Sequence, residues 1–313
     1  MRYLITGAGG FIGTHLAQHL LDAGHQVTGV DPHRCDVRGV HHVYGSAADP
    51  RLMGGLIPRH DGVFHLAAVV GFAKVMPHLV QTVTETTSSA ATVFAIASQS
   101  KTRTLFTSTS AVYGRGNGHP AKETDDALVG PSPVQSWSYA YAKAAAECLA
   151  FGYVREAGAP FIVTRVFNTV GPGQSAEAGF VLPRFCRQAA TGDPMTVYAP
   201  GTQRRTFCHV QDVVRGLTEL MECDKAVGEL VNVGGTVTMT MRELAEVVKF
   251  RARSGSLIET CPPPYKHGYD DIESRKPDLT KIAALIDYVP VRSVDDMVDD
   301  VLAEVKERKL VLV

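Results

Sequence analysis

The stretch that decides the fold stands at the start of the chain, where residues 2–13 read Arg2-Tyr-Leu-Ile-Thr-Gly-Ala-Gly-Gly-Phe-Ile-Gly13. The first five of these residues predict a short apolar strand, and residues 11–23 carry apolar side chains at helical spacing. Between them, Gly7 allows a tight turn, Gly10 lets backbone approach a pyrophosphate, and Gly13 lets the helix pack closely on the strand. A glycine loop in this strand-to-helix context predicts a dinucleotide-binding site.

The residue that follows the next predicted strand supports the same interpretation. Residues 26–30 form that strand, and Asp31 comes directly after it, at the position typical of a ribose-binding carboxylate. A carboxylate there accepts hydrogen bonds from ribose hydroxyls and repels a 2′-phosphate, which favours NAD over NADP. The alternative is a loop Asp that caps a turn.

The chain as a whole has the composition of a globular protein of one large or two closely joined domains, since it has 313 residues. Its net charge of -1 gives no basic surplus for nucleic acid. No apolar run reaches the roughly 18 residues that would cross a membrane, and the short segment 3–5 is not interpreted as a signal peptide. The six cysteines include no close pair, which disfavours zinc or disulfides and favours a reduced cytoplasmic setting.

Predicted strands and helices alternate through most of the chain, which predicts a doubly wound parallel sheet with an irregular C-terminal cap. Residues 63–70 predict a buried strand that ends in small side chains suited to contact with a cofactor. Within it, His65 is interpreted as a hydrogen-bonded core residue. The next strand, 103–107, delivers the hydroxyls of residues 108–110 to the edge where parallel sheets bind ligands. These hydroxyls could bond a substrate or cap turns.

A candidate acid/base pair lies in Ser138-Tyr-Ala-Tyr-Ala-Lys143, which opens a predicted helix. Tyr139 and Lys143 are four residues apart and therefore share one helix face. Because a nearby cation favours the phenolate, we predict that Lys143 lowers the pKa of Tyr139. Tyr141 has only Ala145 four residues further on. A surface Tyr/Lys pair without function is the alternative.

The order of motifs resembles that of the extended short-chain dehydrogenases/reductases, specifically the nucleotide-sugar epimerase/dehydratase family. The matching segments span almost the whole chain and are Thr6–Gly13, Asp31, His65-Leu-Ala-Ala68, Thr107-Ser-Thr-Ser-Ala-Val-Tyr-Gly114, Tyr139-Ala-Tyr-Ala-Lys143, Arg165-Val-Phe-Asn168, Gly171-Pro-Gly173, Thr202-Gln-Arg-Arg-Thr-Phe207, His209-Val-Gln-Asp212, Asn232-Val-Gly-Gly235 and Arg275-Lys-Pro-Asp278. The resemblance implies a Rossmann-type doubly wound parallel sheet with a smaller mixed α/β C-terminal domain. Residues 1–167 and about 208–235 would bind NAD, and residues about 168–207 and 236–313 would bind a nucleotide-diphosphate sugar, UDP-linked by this resemblance.

The resemblance also assigns roles to individual residues, and it implies no metal site. Tyr139 would be the acid/base at the sugar 4-OH, Lys143 would bond the nicotinamide ribose, and Thr109 would bond the substrate. The implied NAD contacts are Gly7, Gly10, Phe11, Ile12, Gly13, Asp31, Leu66, Ala67, Ala68, Tyr139 and Lys143. The implied substrate contacts are Thr109, Ser110, Asn168, Val181, Arg205 and Arg275. A guanidinium fork suits diphosphate oxygens, although a surface ion pair is the alternative for both arginines.

Three departures from the family pattern bear on these roles. Ser46 stands where many relatives carry an adenine-contacting Asp, and Thr87-Ser-Ser-Ala-Ala91 replaces a run that usually contains Asn. These two changes affect adenine contacts and local packing rather than the fold. The third is Ala111, where dehydratases and decarboxylating relatives usually carry an acid.

The absence of that acid favours a 4-epimerase, an isomerase acting on a UDP-hexose or UDP-hexuronic acid through a 4-keto intermediate. The first alternative is UDP-glucuronate decarboxylation, since residues 135–139 and 275–277 resemble such enzymes and a β-keto acid loses CO₂ with little further help. Dehydration is a further alternative. A non-catalytic NAD-sensing regulator is disfavoured because the Tyr139/Lys143 pair is kept.

The resemblance further implies a homodimer. Relatives commonly pair two helices per subunit in a four-helix bundle. The corresponding segments here are residues 77–98 and 138–156, the first of which is a poor helix former because it is rich in Thr and Ser.

Overall fold

The computed structural model of the chain describes residues 1–262, 272 and 274–311, with the side chains of residues 308–311 left out. Its strands are β1 (Arg2–Thr6), β2 (Gln26–Asp31), β3 (His41–Tyr44), β4 (Gly62–His65), β5 (Arg103–Thr109), β6 (Phe161–Val166), β7 (Thr169–Val170), β8 (Met195–Tyr198), β9 (Arg204–His209), β10 (Leu230–Val233), β11 (Val237–Thr240), β12 (Ile258–Cys261) and β13 (Ser274–Arg275). Its helices are α1 (Phe11–Asp22), α2 (Pro50–Leu56), α3 (Phe72–Val75), α4 (Leu79–Ser100), α5 (Ser138–Ala157), α6 (Val181–Thr191), α7 (Val210–Glu222), α8 (Met241–Ala252), α9 (Thr280–Ile286) and α10 (Val294–Val311). None of the helices among these residues is long and apolar enough to cross a membrane.

A parallel sheet of seven strands from the described residues forms the centre of the fold, in the order β10-β6-β5-β4-β1-β2-β3. The strand order reverses between β1 and β4, so the loops that leave their carboxyl ends diverge and open a crevice. The glycine loop follows β1, and residues 66–68 follow β4. This arrangement confirms the doubly wound parallel sheet.

Apolar clusters cover both faces of this sheet. On one face α1 and α7 contribute Leu16, Leu20 and Leu217, all fully buried. On the other face α4 and α5 contribute Phe94 and Ala150. The sheet is therefore buried on both faces, as parallel sheets require.

A second cluster of elements lies at the C-terminal side and holds smaller sheets. β9 pairs antiparallel with β11 and parallel with both β13 and β7. β8 pairs parallel with β12. Helices α6, α8 and α10 pack together on their own apolar core. The predicted mixed α/β C-terminal part is confirmed.

The strand predicted over residues 63–70 and the helix predicted over residues 77–98 differ in extent from the structure. The strand predicted over residues 63–70 ends at His65, because its neighbours β1 and β5 pair with it only that far. The helix predicted over residues 77–98 begins at Leu79, after the separate short α3. The Thr-rich run is helical nevertheless, and the Thr82 hydroxyl donates to the carbonyl of His78.

Candidate active site

The glycine loop has the form expected of a phosphate cradle. Gly7 has φ +78°, a conformation that favours glycine, and a Cβ on Gly13 would lie 2.1 Å from the Gly7 carbonyl oxygen. Gly10 is exposed and precedes α1, where no side chain of the described residues caps the first turn. The unpaired N–H groups at this helix end, which includes Phe11 and Ile12, therefore suit a pyrophosphate.

Residues 66–68 close the other side of the same crevice. The backbone N–H of Leu66 donates to the Thr6 carbonyl oxygen at 3.1 Å. A Cβ on Gly7 would lie 2.9 Å from the Ala67 nitrogen, so the two loops are in close contact. Ala68 is half-buried beside them. The structure thus brings these predicted cofactor residues together at one point.

Asp31 at the end of β2 is fixed by backbone donors. Its carboxylate accepts from the N–H of Gly9 at 3.0 Å and from the N–H of His33 at 2.7 Å. Since a carboxylate oxygen accepts more than one hydrogen bond, a ribose hydroxyl could still be bound there. Gly9 stands within the glycine run, but the spacing of the glycines gives no sign of its contact with Asp31. These residues fit NAD.

Tyr139 and Lys143 share one face of α5 as predicted, and the Lys143 Nζ lies 6.0 Å from the centre of the Tyr139 ring. Lys143 is 1% exposed and donates to the Thr107 carbonyl oxygen at 2.7 Å. The Tyr139 hydroxyl makes no hydrogen bond to another described residue, so it is available to a ligand. Tyr141 is occupied elsewhere, because its hydroxyl donates to the Gly130 carbonyl oxygen at 2.7 Å.

The predicted effect of Lys143 on Tyr139 is wrong for this structure. Burial raises the pKa of Tyr139 above its usual range. Burial also lowers the pKa of Lys143 to about 7, against the opposing attraction of Glu147. The physical reason is that desolvation disfavours both charged forms, and the sequence alone could not show how deeply the pair is buried.

Thr109 ends β5, next to the cofactor crevice. Its Oγ1 accepts from the N–H of Ala111 at 3.2 Å and can still donate its proton to a ligand. Ser110 is 2% exposed and begins the turn that follows. Ala111 packs against the apolar cluster around Trp137 and Ala140. The hydroxyl of Thr109 is therefore the accessible one of the two.

Arg205 and Arg275 are neighbours although 70 residues separate them in the sequence. They are directly opposite each other in the parallel strands β9 and β13. Arg205 Nη1 donates at 2.6 Å to the carbonyl oxygen of Ile272, which precedes β13. Residues paired in register on neighbouring strands carry their side chains on the same face of the sheet, and guanidinium groups suit the oxygens of a diphosphate.

Asn168 lies beside this arginine pair. Its Nδ2 donates to the carbonyl oxygen of Thr206, the residue after Arg205, at 3.1 Å. Val181 is half-buried at the start of α6 and packs against the apolar core of the C-terminal part.

Ser46 and residues 87–91 depart from the family pattern outside the reaction centre. They leave the fold intact, as predicted. The Ser46 hydroxyl accepts from the N–H of Ala48 at 3.1 Å and so stabilises the turn before α2. On α4, Thr82 and Thr86 are buried members of the Thr-rich run, at 0% and 1% exposure. Thr87 is half-buried and donates to the Val83 carbonyl oxygen.

His65 has the structural role that the sequence suggested. Its Nδ1 lies 2.7 Å from the Thr6 hydroxyl, and its ring stacks on Phe106. Burial, with a smaller contribution from the charge of Lys143, lowers the pKa of His65 to about 3. The ring is therefore neutral near pH 7 and holds β4 against β1.

Comparisons with known proteins agree with this geometry. The sequence profile of the NAD dependent epimerase/dehydratase family matches residues 3–234. The chain is 35% identical over 300 residues to the UDP-N-acetyl-alpha-D-glucosaminuronate decarboxylase of Bacillus cytotoxicus, covering 92% of each chain. It is 33% identical over 318 residues to UDP-glucuronic acid decarboxylase 1 of Arabidopsis thaliana, covering 99% of this chain and 71% of the relative.

Solved structures with the same fold include the UDP-glucuronic acid 4-epimerase of Bacillus cereus in complex with UDP-glucuronic acid and NAD. The TM-score is 0.86 at 24% identity, and the match covers 98% of this chain and all of that one (100%). The UDP-glucose 4-epimerase of Thermotoga maritima gives a TM-score of 0.88 at 24% identity, covering both chains fully (100%).

Proposed function

The chain belongs to the NAD-dependent epimerase/dehydratase family, and from this we propose that it oxidises C4 of a UDP-linked hexuronic acid and releases the C6 carboxylate as CO₂. The observation that carries the proposal is the 33–35% identity to UDP-hexuronate decarboxylases over more than nine-tenths of the chain. The Tyr139/Lys143 pair beside the cofactor crevice supplies the acid/base that C4 oxidation needs.

The residues divide the reaction between them. Tyr139 acts as the phenolate, whose negative charge the Lys143 ammonium on the same helix face stabilises. It takes the proton of O4 and becomes the neutral phenol, while Thr109 holds the same oxygen by a hydrogen bond. Bound NAD supplies the hydride acceptor for C4. The product is a β-keto acid, in which the C5–C6 bond breaks to give CO₂ and an enolate. That enolate would take a proton at C5, and Tyr139 would return its proton to O4 when C4 is reduced again.

A second candidate is C4 epimerisation without loss of carbon, and one observation favours it. Ala111 occupies the position of the usual acid and packs in the apolar cluster with Trp137, which is 2% exposed. No carboxylate at this position is available to protonate C5. Tyr139 and Thr109 would then suffice to remove hydride and return it to the opposite face of the sugar.

Product analysis separates the two candidates. The protein with NAD is incubated with UDP-glucuronate, UDP-N-acetylglucosaminuronate and, for comparison, UDP-glucose, and the products are followed by NMR and CO₂ capture. Release of CO₂ with formation of a UDP-pentose is the expected result. Conversion to the C4 epimer with all carbons kept would replace the proposal by the second candidate. No turnover of any of these sugars would refute both.

We also propose that two parts of the chain bind the two ligands, as the resemblance implies. Residues 1–167 and about 208–235 would hold NAD, and residues about 168–207 and 236–313 would hold the nucleotide sugar. The crevice at β1 and β4 and the arginine pair on β9 and β13 support this division.

Substitution of one arginine tests the diphosphate contact. Because a hydrogen bond to a charged group contributes about 1.5–3 kcal/mol, Arg205→Gln is expected to raise the KM for the UDP-sugar by roughly 10- to 100-fold. Arg204→Gln is the matched control, since Arg204 is the exposed neighbour on the same strand. Steady-state kinetics and calorimetric titration with UDP measure both variants. An equal increase in KM in the two variants would indicate a general effect of positive charge rather than a diphosphate-binding site at Arg205.

The proposed homodimer has a surface that would suit it. Exposed apolar side chains lie on α4 and α5, with Val80 82%, Tyr141 41% and Leu149 37% exposed. We predict a dimer at micromolar concentration and a shift to monomer in Leu149→Lys, measured by sedimentation. The control is Phe250→Lys, because Phe250 is 78% exposed on α8. A monomeric wild-type protein, or an effect of both changes alike, would contradict the prediction.

A further inference from the structure

The catalytic face of α5 continues beyond Lys143. Glu147 lies four residues further on, so Tyr139, Lys143 and Glu147 form one line along the helix. We propose that Glu147 is a positioning residue, which places a negative charge on the helix face of Lys143 and fixes the catalytic helix against β5. The inference rests on the proposed use of Tyr139 and Lys143, and it is independent of which product is formed.

Glu147 is itself held by two partners. It is 5% exposed, and its carboxylate accepts from Arg165 through Nε at 3.0 Å and through Nη2 at 2.7 Å. The Ser108 hydroxyl donates to the same carboxylate. A buried bidentate pair with a third donor leaves the carboxylate one orientation.

Two consecutive residues at the end of β5, Thr107 and Ser108, bind side chains of α5. The Thr107 carbonyl accepts from Lys143, and the Ser108 hydroxyl binds Glu147. The next residue, Thr109, is the proposed substrate contact. Two anchors one residue apart thus set the register between the end of β5 and the helix face that carries Tyr139.

The charge on Glu147 also matters for Lys143. The amino group lies 4.6 Å from the centre of the Phe106 ring in a buried setting that disfavours its charged form. The titratable groups that face it are His65 from β4, Tyr139 and Glu147 from α5, and Arg165 from β6 behind Glu147. His65 is neutral near pH 7, and Glu147 is the negative charge that counteracts burial.

Arg165 is fixed on its other side as well. Its guanidinium lies 4.5 Å from the centre of the Tyr113 ring, and the Tyr113 hydroxyl donates to Asn232 at 2.7 Å. Asn232 Nδ2 in turn donates to the Asp278 carbonyl oxygen at 3.3 Å, three residues from Arg275. The Arg165–Glu147 pair is therefore connected through Tyr113 and Asn232 to the segment that carries Arg275.

The test measures the titration of Lys143 directly. NMR of isotopically labelled lysine, with the Lys143 signal identified by its loss in Lys143→Met, is recorded across pH with NAD and without added NAD. Because removal of a neighbouring charge shifts a buried pKa by about one unit or more, Glu147→Gln is expected to lower the Lys143 midpoint by that amount. Glu156→Gln is the matched control, since Glu156 is exposed on the same helix.

The rate profile gives a second readout where turnover is found. Lys143 is charged only below its pKa, so Glu147→Gln should move the alkaline limit of activity to lower pH. A merely structural role would lower the rate equally at all pH values. If Glu147→Gln does not fold because Arg165 is left uncompensated, Glu147→Gln/Arg165→Met removes both charges, and the same direction is expected. An unchanged Lys143 midpoint in a folded variant would overturn the inference, whether or not the proposed reaction is found.

Discussion

Tyr139→Phe should lose most of its turnover and keep its ligands. Proton transfer by a positioned group contributes about 10²–10⁴-fold, so kcat is expected to fall by at least that factor. The hydroxyl makes no hydrogen bond to another described residue, and its removal should therefore leave folding unchanged. Steady-state kinetics give kcat, and titrations with NAD and UDP give the two affinities.

Tyr141→Phe is the control for this change. It removes a hydroxyl two residues away that donates to the Gly130 carbonyl oxygen, and it should cost about 1 kcal/mol of stability with near-normal turnover. If Tyr139→Phe stays near full activity, or if Tyr141→Phe is the inactive variant, the assignment of the acid/base is wrong.

Gly13→Ala should damage both the fold and the cofactor site. The new Cβ would lie 2.1 Å from the Gly7 carbonyl oxygen and 2.9 Å from the Ala8 Cα, and backbone cannot rotate away as a side chain can. We expect the free energy of unfolding to fall by about 3 kcal/mol. NAD binding should weaken as well, because the glycine loop and the start of α1 must move apart. Denaturant unfolding and NAD titration measure the two effects.

Gly54→Ala is the matched control. Gly54 is exposed within α2, and a Cβ there would meet nothing within 4 Å. Alanine should raise stability by up to about 1 kcal/mol, since glycine is the poorer helix former. A Gly13→Ala protein as stable as this control would show that the close packing of α1 on the glycine loop is not required.

The sequence was sufficient wherever a function depends on local spacing. The glycine loop, Asp31 and the Tyr139/Lys143 face are each defined by a few neighbouring residues. Backbone geometry allows nearly one local structure for such patterns. The length of β4 was overestimated because its end is set by pairing with β1 and β5, which the apolar run alone does not show.

The pairing of Arg205 with Arg275 and the role of Glu147 depend on residues far apart in the sequence. Arg205 and Arg275 meet only because β13 adds to the edge of β9. Glu147 was overlooked because its partner Arg165 stands on another element, although its spacing from Lys143 was a readable signal.

The sequence by itself determined the fold class, the family, the cofactor and the helix face that Tyr139 and Lys143 share, because each is encoded in short-range pattern and motif order. Only the tertiary structure decided the charge states at that face. Desolvation depends on everything that packs around a group, and here burial raises the pKa of Tyr139 and lowers that of Lys143. The same packing brings Glu147 within reach of Arg165 and makes it the counter-charge that the pair requires.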